Sequence, residues 1–181
     1  LAKAGWRDVD GDGILEKDGK KFRFTMMQIA TSSIQQRLMP LLKESFAAAG
    51  IDMSIQVIEW SNYISRLDSR SYDACCLGWA SNFDPDMYQV WHSSQMLQGG
   101  SNHISYKNTE LDRLIEEMRK EFDSDKRIRL AREIGRIIHE DQPYTFLVWP
   151  YSLTAVSEKF GNLKVYPAGM ETMPAYLKEN Y

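Results

Sequence analysis

Three aspartates at alternate positions, Asp8, Asp10 and Asp12, precede Gly13, the Ile14 carbonyl and Glu16. These residue types at this spacing match the first half of a calcium loop of the EF-hand kind, with Glu16 at the ninth position. A tight turn aims such carboxylates inward, where a hard cation would meet them. The twelfth position is Gly19 instead of a bidentate Glu, and the segment that follows reads as a strand, not a helix. The same residues also suit a polar turn in which Asp side chains cap backbone amides with no metal. A calcium ion here would staple a loop; the chemistry of the chain requires no cofactor.

A second constellation begins at Tyr72. A short apolar strand enters Gly78-Trp79 and then the polar loop Ala80-Ser81-Asn82-Phe83-Asp84-Pro85-Asp86. Loops at the carboxyl ends of strands in open α/β sheets are where such folds bind ligands. This one offers a large aromatic face, an amide and carboxylates but no nucleophile, so it reads as a binding surface. Its candidate contacts are Trp79, Ala80, Ser81, Asn82, Phe83 and Asp84, joined by Asn102 from a later loop.

Catalysis finds little support. His92, His103 and His139 are scattered, with no spacing that would gather them on a metal. The chain has no Gly-x-Ser-x-Gly elbow, P-loop or Gly-x-Gly-x-x-Gly fingerprint. Among the acid pairs, Glu116 and Glu117 fall on a helix surface, and Asp84 with Asp86 reads as a helix cap plus a first-turn acid. Cys75 and Cys76 are adjacent, so on a strand they point to opposite faces and read as small core thiols, not as a disulfide.

Composition bounds the rest. With 181 residues, 43% apolar and 26% charged, the chain suits one domain or one lobe of a larger protein. A net charge of −3 and the absence of a basic stripe argue against a nucleic-acid partner. Lys17, Lys20, Lys21 and Arg23, interrupted by Asp18, read as a solvated face. No apolar run approaches the ~20 residues that span a bilayer. The opening Leu1-Ala2-Lys3-Ala4-Gly5-Trp6 reads like the tail of a helix that starts upstream, so the chain reads as part of a longer protein.

The elements that position these groups follow from periodicity. Strands are expected over 22–29, 51–58 and 72–77. Between them, a helix over 33–49 opens on a Ser33–Gln36 capping box and buries Ile34, Leu38, Leu41, Leu42 and Ala49. Pro40 predicts a kink or a later start for that helix, and Gly50 marks its end. A short helix covers 61–69, and another covers 86–92 behind Asp84-Pro85. The segment 97–106 reads as an exposed loop. Asn108 and Ser124 open two more helices, the second ended by Gln142-Pro143. Residues 145–156 read as a strand with Pro150 inside it. This strand–helix alternation predicts an α/β fold, a mixed and mostly parallel sheet flanked by helices.

Several of these residues recur in a known order: Ala4-Gly5-Trp6, the Asp8-x-Asp10-Gly-Asp12-Gly turn, Tyr72-Asp73, Gly78-Trp79, Asp84-Pro85-Asp86, Trp91-His92-Ser93-Ser94, Asn102, Tyr106-x-Asn108, Leu111-Asp112 and Glu140-Asp141-Gln142-Pro143-Tyr144. The ordered set resembles the C-terminal third of family 5 extracellular solute-binding proteins, the dipeptide- and oligopeptide-binding components of ABC importers. The resemblance implies the C-terminal lobe of a periplasmic-binding-protein type II fold over residues 1–145. Residues 146–181 would be a hinge strand and a tail packed on an N-terminal lobe. It further implies a small solute as ligand, a peptide or alternatively an oligosaccharide, a membrane permease as partner, and a periplasmic or extracellular, envelope-associated setting. Peptide binders of the family hold the ligand's ammonium with an aspartate three residues after this tryptophan. That position is Asn82, so either Asp84 substitutes or the ligand lacks a free ammonium at that end. A calcium-stapled interaction module is the rival from another class.

Overall fold

In the computed structural model, which describes residues 1–79, 86–97, 99–149, 153–166, 169–171 and 176–177, the chain first folds back at Asp18-Gly19. Both residues have positive φ, 52° and 71°, the geometry of a type I′ turn. That turn pairs β1 (Glu16–Lys17) antiparallel with β2 (Lys20–Lys21). Gly19 thus serves a hairpin, where the sequence alone had set it as the last position of a cation loop.

A β–α–β–α–β unit follows: β3 (Arg23–Ile29), α1 (Ser33–Ala48), β4 (Asp52–Ile58), α2 (Trp60–Ser69) and β5 (Ala74–Cys75). The strands form a parallel sheet in the order β4-β3-β5. Side-chain alternation sorts the core onto the two faces. Phe24, Met26, Met53, Ile55, Ala74 and Cys76 meet Leu38, Met39, Leu42 and Phe46 of α1. On the other face Met27, Ile29, Ile58 and Cys75 meet Tyr63, Ile64 and Leu67 of α2. Each fully buried Met, Leu or Tyr here contributes roughly 1.5–3 kcal/mol of transfer free energy.

Local chemistry corrects several expectations about boundaries. The N-cap of α1 is Ser32, not Ser33: its backbone is extended and its Oγ accepts from Gln35 N at 3.3 Å. The buried stripe of α1 runs through Gln35, Leu38, Met39, Leu42 and Phe46, leaving Ile34 and Leu41 exposed. The helix continues through Pro40, which lies on the exposed side. Gly50 has φ +76°, and a Cβ there would fall 2.7 Å from Leu15 Cγ. Only glycine permits the approach that lets Leu15 N donate to Gly50 O at 2.7 Å, tying the acidic turn to the end of α1.

Strand β5 pairs through two residues where six were expected, and Asp73 Oδ2 extends its reach by accepting from Thr25 N at 2.8 Å. After it come α3 (Tyr88–Trp91), α4 (Thr109–Lys120) and α5 (Ser124–Asp141). The short α3 begins at Tyr88, whose N–H donates to Asp86 Oδ1 at 3.0 Å. Asn108 Oδ1 caps α4 through Glu110 N and Leu111 N, both at 3.1 Å. For α5 the cap is Asp123, not Ser124, since its Oδ1 takes Lys126 N at 2.9 Å. Leu111, Leu114, Ile115 and Met118 interlock with Ile134, Ile137 and Ile138, while Phe122 stays exposed.

The chain divides into two compact units, one of Leu1–Ala80 with Asp86–Asp141, the other containing Gln142–Tyr181. In the second, β6 (Phe160–Gly161) pairs with β9 (Tyr176–Leu177), enclosing the antiparallel pair β7 (Lys164–Tyr166) and β8 (Gly169–Glu171). The strand expected over 145–156 does not form among the described residues. Phe146, Val148, Trp149 and Leu153 there are exposed. An apolar run becomes a strand only where an edge receives it. Among the described residues no helix is long and apolar enough to cross a membrane.

Cys75 and Cys76 are free, half-buried and on opposite faces of the sheet. Burial pushes both thiols up, and burial likewise pushes up the Tyr63 hydroxyl. The folded state therefore keeps protons that the unfolded chain releases as pH rises past about 8.5 to 10, and stability should fall there. Urea unfolding at pH 7.5 and pH 10 is expected to give a lower midpoint at the higher pH. A disulfide reagent at pH 7.5 should label the native thiols far more slowly than the urea-unfolded ones.

Candidate functional site

In a parallel sheet of order β4-β3-β5 the chain runs outward from β3 in one direction and then in the other. The point where the order reverses lies between the carboxyl ends of β3 and β5. Ligands of open α/β folds bind at such a reversal, because the two connecting loops diverge and leave the strand ends open. Here the loops are the turn after Ile29 and the segment after Cys75.

Two helical side chains reach into that reversal. Gln35, buried near the start of α1, accepts from Ile29 N at 2.7 Å and donates Nε2 to Cys76 O at 2.6 Å. Tyr63, fully buried on α2, donates its hydroxyl to the same carbonyl at 3.0 Å and accepts from Cys76 N at 3.1 Å. Cys76 is thereby held by side chains from both helix layers. The chain then leaves through Leu77 and Gly78 and presents Trp79 with half its surface exposed, 50%. Ala80, Ser81, Asn82, Phe83 and Asp84, the other contacts expected in this loop, lie outside the described residues.

Beside Trp79 stands His103, the two rings nearly parallel at 5° with centroids 6.5 Å apart. The segment carrying His103 is locked from within. Asn102, expected among the ligand contacts and on an exposed loop, is instead fully buried. Its Nδ2 donates to Tyr106 O at 2.8 Å and His92 O at 3.3 Å, and its Oδ1 accepts from Tyr106 N at 3.0 Å. With both amide hydrogens and the carbonyl committed, it organises the loop and has no donor left for a solute. Arg70, in the left-handed conformation that ends α2, adds bonds to Asn102 O (3.2 Å), Ser105 Oγ (2.9 Å) and Met96 O. Tyr72 completes the clamp by donating to His103 O at 3.0 Å.

The remaining titratable groups are engaged in packing. His92 is buried, its Nδ1 against Ser94 Oγ at 2.8 Å and its Nε2 3.3 Å from Glu116 Oε1. Asp86 pairs with Arg119 at 3.3 Å, and Glu117 with Arg113 at 2.7 Å.

The acidic turn is closed from inside. Asp8 accepts from Gly11 N (2.8 Å) and Gly13 N (3.0 Å), Asp10 from Asp12 N (3.2 Å), and Asp12 from Ile14 N (2.9 Å). Carboxylate oxygens of Asp8, Asp10 and Asp12 lie within 4.8 Å of one another. Into this cluster comes the Lys21 ammonium, 2.8 Å from Asp10 Oδ2, in contact with Asp12 Oδ2, and 3.4 Å from Glu16 Oε1. Its hydrogen bond holds Asp10 below the usual carboxylate range, and Asp10 and Asp12 in turn push the ammonium up. Lys21 is therefore no plain solvated lysine, because the β1–β2 hairpin carries it back over the turn. A cavity of about 380 Å³ beside this hairpin, lined by Arg7, Glu16, Lys17 and Asp18 among others, is distinct from the strand-end reversal.

Sequence reasoning pointed to Trp79 from the strand-to-Gly-Trp transition, and the structure places it half exposed just past the strand end. It missed Gln35, Tyr63, Lys21 and the pairing of His103 with Trp79. The Asp18-Gly19 dipeptide was the available signal for Lys21; the other three depend on strand order.

A parallel sheet open at its reversal point, covered by a helix on each face, defines the lobe of a periplasmic-binding-protein type II fold. The chain belongs to the bacterial extracellular solute-binding proteins of family 5, whose middle segment matches residues 1–101. It is 36% identical over 169 residues to the oligopeptide-binding protein AppA of Bacillus subtilis, covering 92% of this chain and 31% of AppA. The AppA structure in complex with a nonapeptide superposes with a TM-score of 0.81 at 34% identity, over 99% of this chain and 36% of that one. The Helicobacter pylori protein DppA, in complex with the peptide STSA, gives 0.62 at 28% identity over 68% of this chain and 24% of its own. A Thermotoga maritima oligopeptide-transporter protein bound to mannohexaose gives 0.70 at 20% identity, over 79% and 28%, a likeness of fold. The chain thus spans about a quarter to a third of the length of these relatives.

Two outcomes test this architecture. Tyr63→Phe removes the hydroxyl that serves both backbone groups of Cys76 and should cost about 1–3 kcal/mol in urea unfolding. A loss below a few tenths would mean that water replaces it fully. Millimolar calcium should leave the melting temperature of the parent chain unchanged but raise that of Lys21→Met, in which the three aspartates lose their internal cation. An equal shift in both proteins would show that Lys21 does not occupy the cation's place.

Proposed function

We propose that this chain is the ligand-gripping lobe of a solute receptor that binds peptide and delivers it to an ABC importer, with no catalytic role. The observation that carries this reading is the half-exposed Trp79, held at the sheet reversal of a lobe that shares 36% identity with an oligopeptide-binding protein. A rigid aromatic face beside open strand ends suits an extended ligand, which gains area from the ring and pairing from free backbone groups. Trp79 with Ala80, Ser81, Asn82, Phe83 and Asp84 forms the proposed contact segment, and Asn102 organises the loop that carries His103 beside Trp79. Asn82 accepts a hydrogen bond from a ligand ammonium without adding charge, which places the charge-assisted part of that contact on Asp84.

On this reading a second lobe closes over the ligand, a membrane permease receives it, and the protein works outside the cytoplasmic membrane in the periplasm or at the cell surface. A sugar ligand is the second reading, since an indole face also stacks on a pyranose ring and the neutral Asn82 suits hydroxyls. Calcium has no part in solute binding on either reading.

Mass spectrometry of solute released from the whole protein after gentle purification decides between them. Peptides are the expected release; recovery of oligosaccharides alone would overturn the peptide assignment.

A further inference from the structure

We propose that His103 is the positioning residue of the ligand platform, an aromatic backing that fixes the Trp79 indole at the angle in which it meets solute. This inference rests on the ligand-facing role proposed for Trp79. Trp79 follows Gly78, at which a Cβ would meet nothing within 4 Å, so the backbone leading to it is uncrowded. An indole on such a stem would scatter among rotamers, and each ligand would have to order it at an entropic cost. The near-parallel imidazole removes that freedom in advance.

His103 can serve because it is itself immobilised. Its side chain keeps only 16% of its surface. Its backbone carbonyl is held by Tyr72, and its neighbour Asn102 is buried with a saturated amide. The charged groups around the ring are Asp68, with Oδ1 3.9 Å from Nδ1, and Arg70. Among the described residues Nδ1 has no hydrogen-bond partner, so the ring is held by packing and stacking rather than by a polar contact. Burial, assisted by Arg70 and opposed by Asp68, lowers its pKa, which leaves the ring neutral against the indole at neutral pH.

The test uses the whole protein that bears this chain, with His103→Ala, His103→Phe, Trp79→Ala and Trp79→Phe variants. The binding probe is a synthetic nonapeptide with a free N-terminal ammonium. Trp79→Ala and His103→Ala are each expected to weaken binding about tenfold, while His103→Phe, which restores a flat ring, stays within about twofold of the parent. If Trp79→Ala weakens binding but His103→Ala does not, or if His103→Phe loses as much as His103→Ala, the positioning role is overturned and the ligand-facing role of Trp79 stands. If Trp79→Ala binds as the parent does, both fail.

A ligand-free readout runs alongside. An imidazolium quenches an indole it touches, so parent fluorescence should fall as pH drops below the ordinary histidine range near 6.5. That component should be missing from Trp79→Phe and from His103→Phe. Its persistence in either variant overturns the stacking on which the proposal is built.

Discussion

The backbone of Cys76 must be satisfied although no strand continues beside it, and this constraint shapes the lobe. Strand β5 pairs with β3 at Ala74 and Cys75 only. At the next residue Gln35 and Tyr63 substitute for the missing ladder. Unpaired backbone groups in a half-buried setting are costly, so these contacts fix where the chain departs from the sheet. Because one partner comes from α1 and the other from α2, the same residue couples both helix layers to the start of the segment that carries Trp79. The position of Trp79, and through it the whole candidate site, descends from that junction.

Much of the architecture was readable in the residues because periodicity is a direct imprint of burial. The seven-residue strand β3 is apolar on both covered faces, the helical stripes of α4 and α5 recur every three or four residues, and Asn108 and Gly50 mark helix ends where expected. Cap positions slipped by one at Ser32 and Asp123, since neighbouring residues with equivalent side chains compete and backbone angles decide. Over 145–156 no strand forms among the described residues, because apolar composition does not supply a pairing edge. In the site, the aromatic at the strand end was legible, whereas the burial of Asn102 was not. An amide between glycine-rich and polar neighbours looks exposed until its three backbone partners are placed around it.

Charge is handled throughout by internal pairing. Lys21 offsets part of the negative charge of the aspartate turn, Arg70 binds the carbonyls of Met96 and Asn102, and Arg113 and Arg136 link acids on one helix face. The surface pairs on α4 and α5 add little stability individually. The lysine and the half-buried arginine differ in kind, because each organises a loop that lacks regular secondary structure.

The sheet is lopsided: β3 shares seven register positions with β4 and two with β5. A long ladder behaves as a stiff plate, while a two-residue seam reinforced by three side chains behaves more like a pinned joint. Local opening therefore concentrates on the β5 side, with the β3–β4 pair left intact as the frame. Trp79, three residues beyond Cys76, therefore leaves the sheet from its compliant edge, while the stiff plate of β3 and β4 carries the helices that pin the departure point.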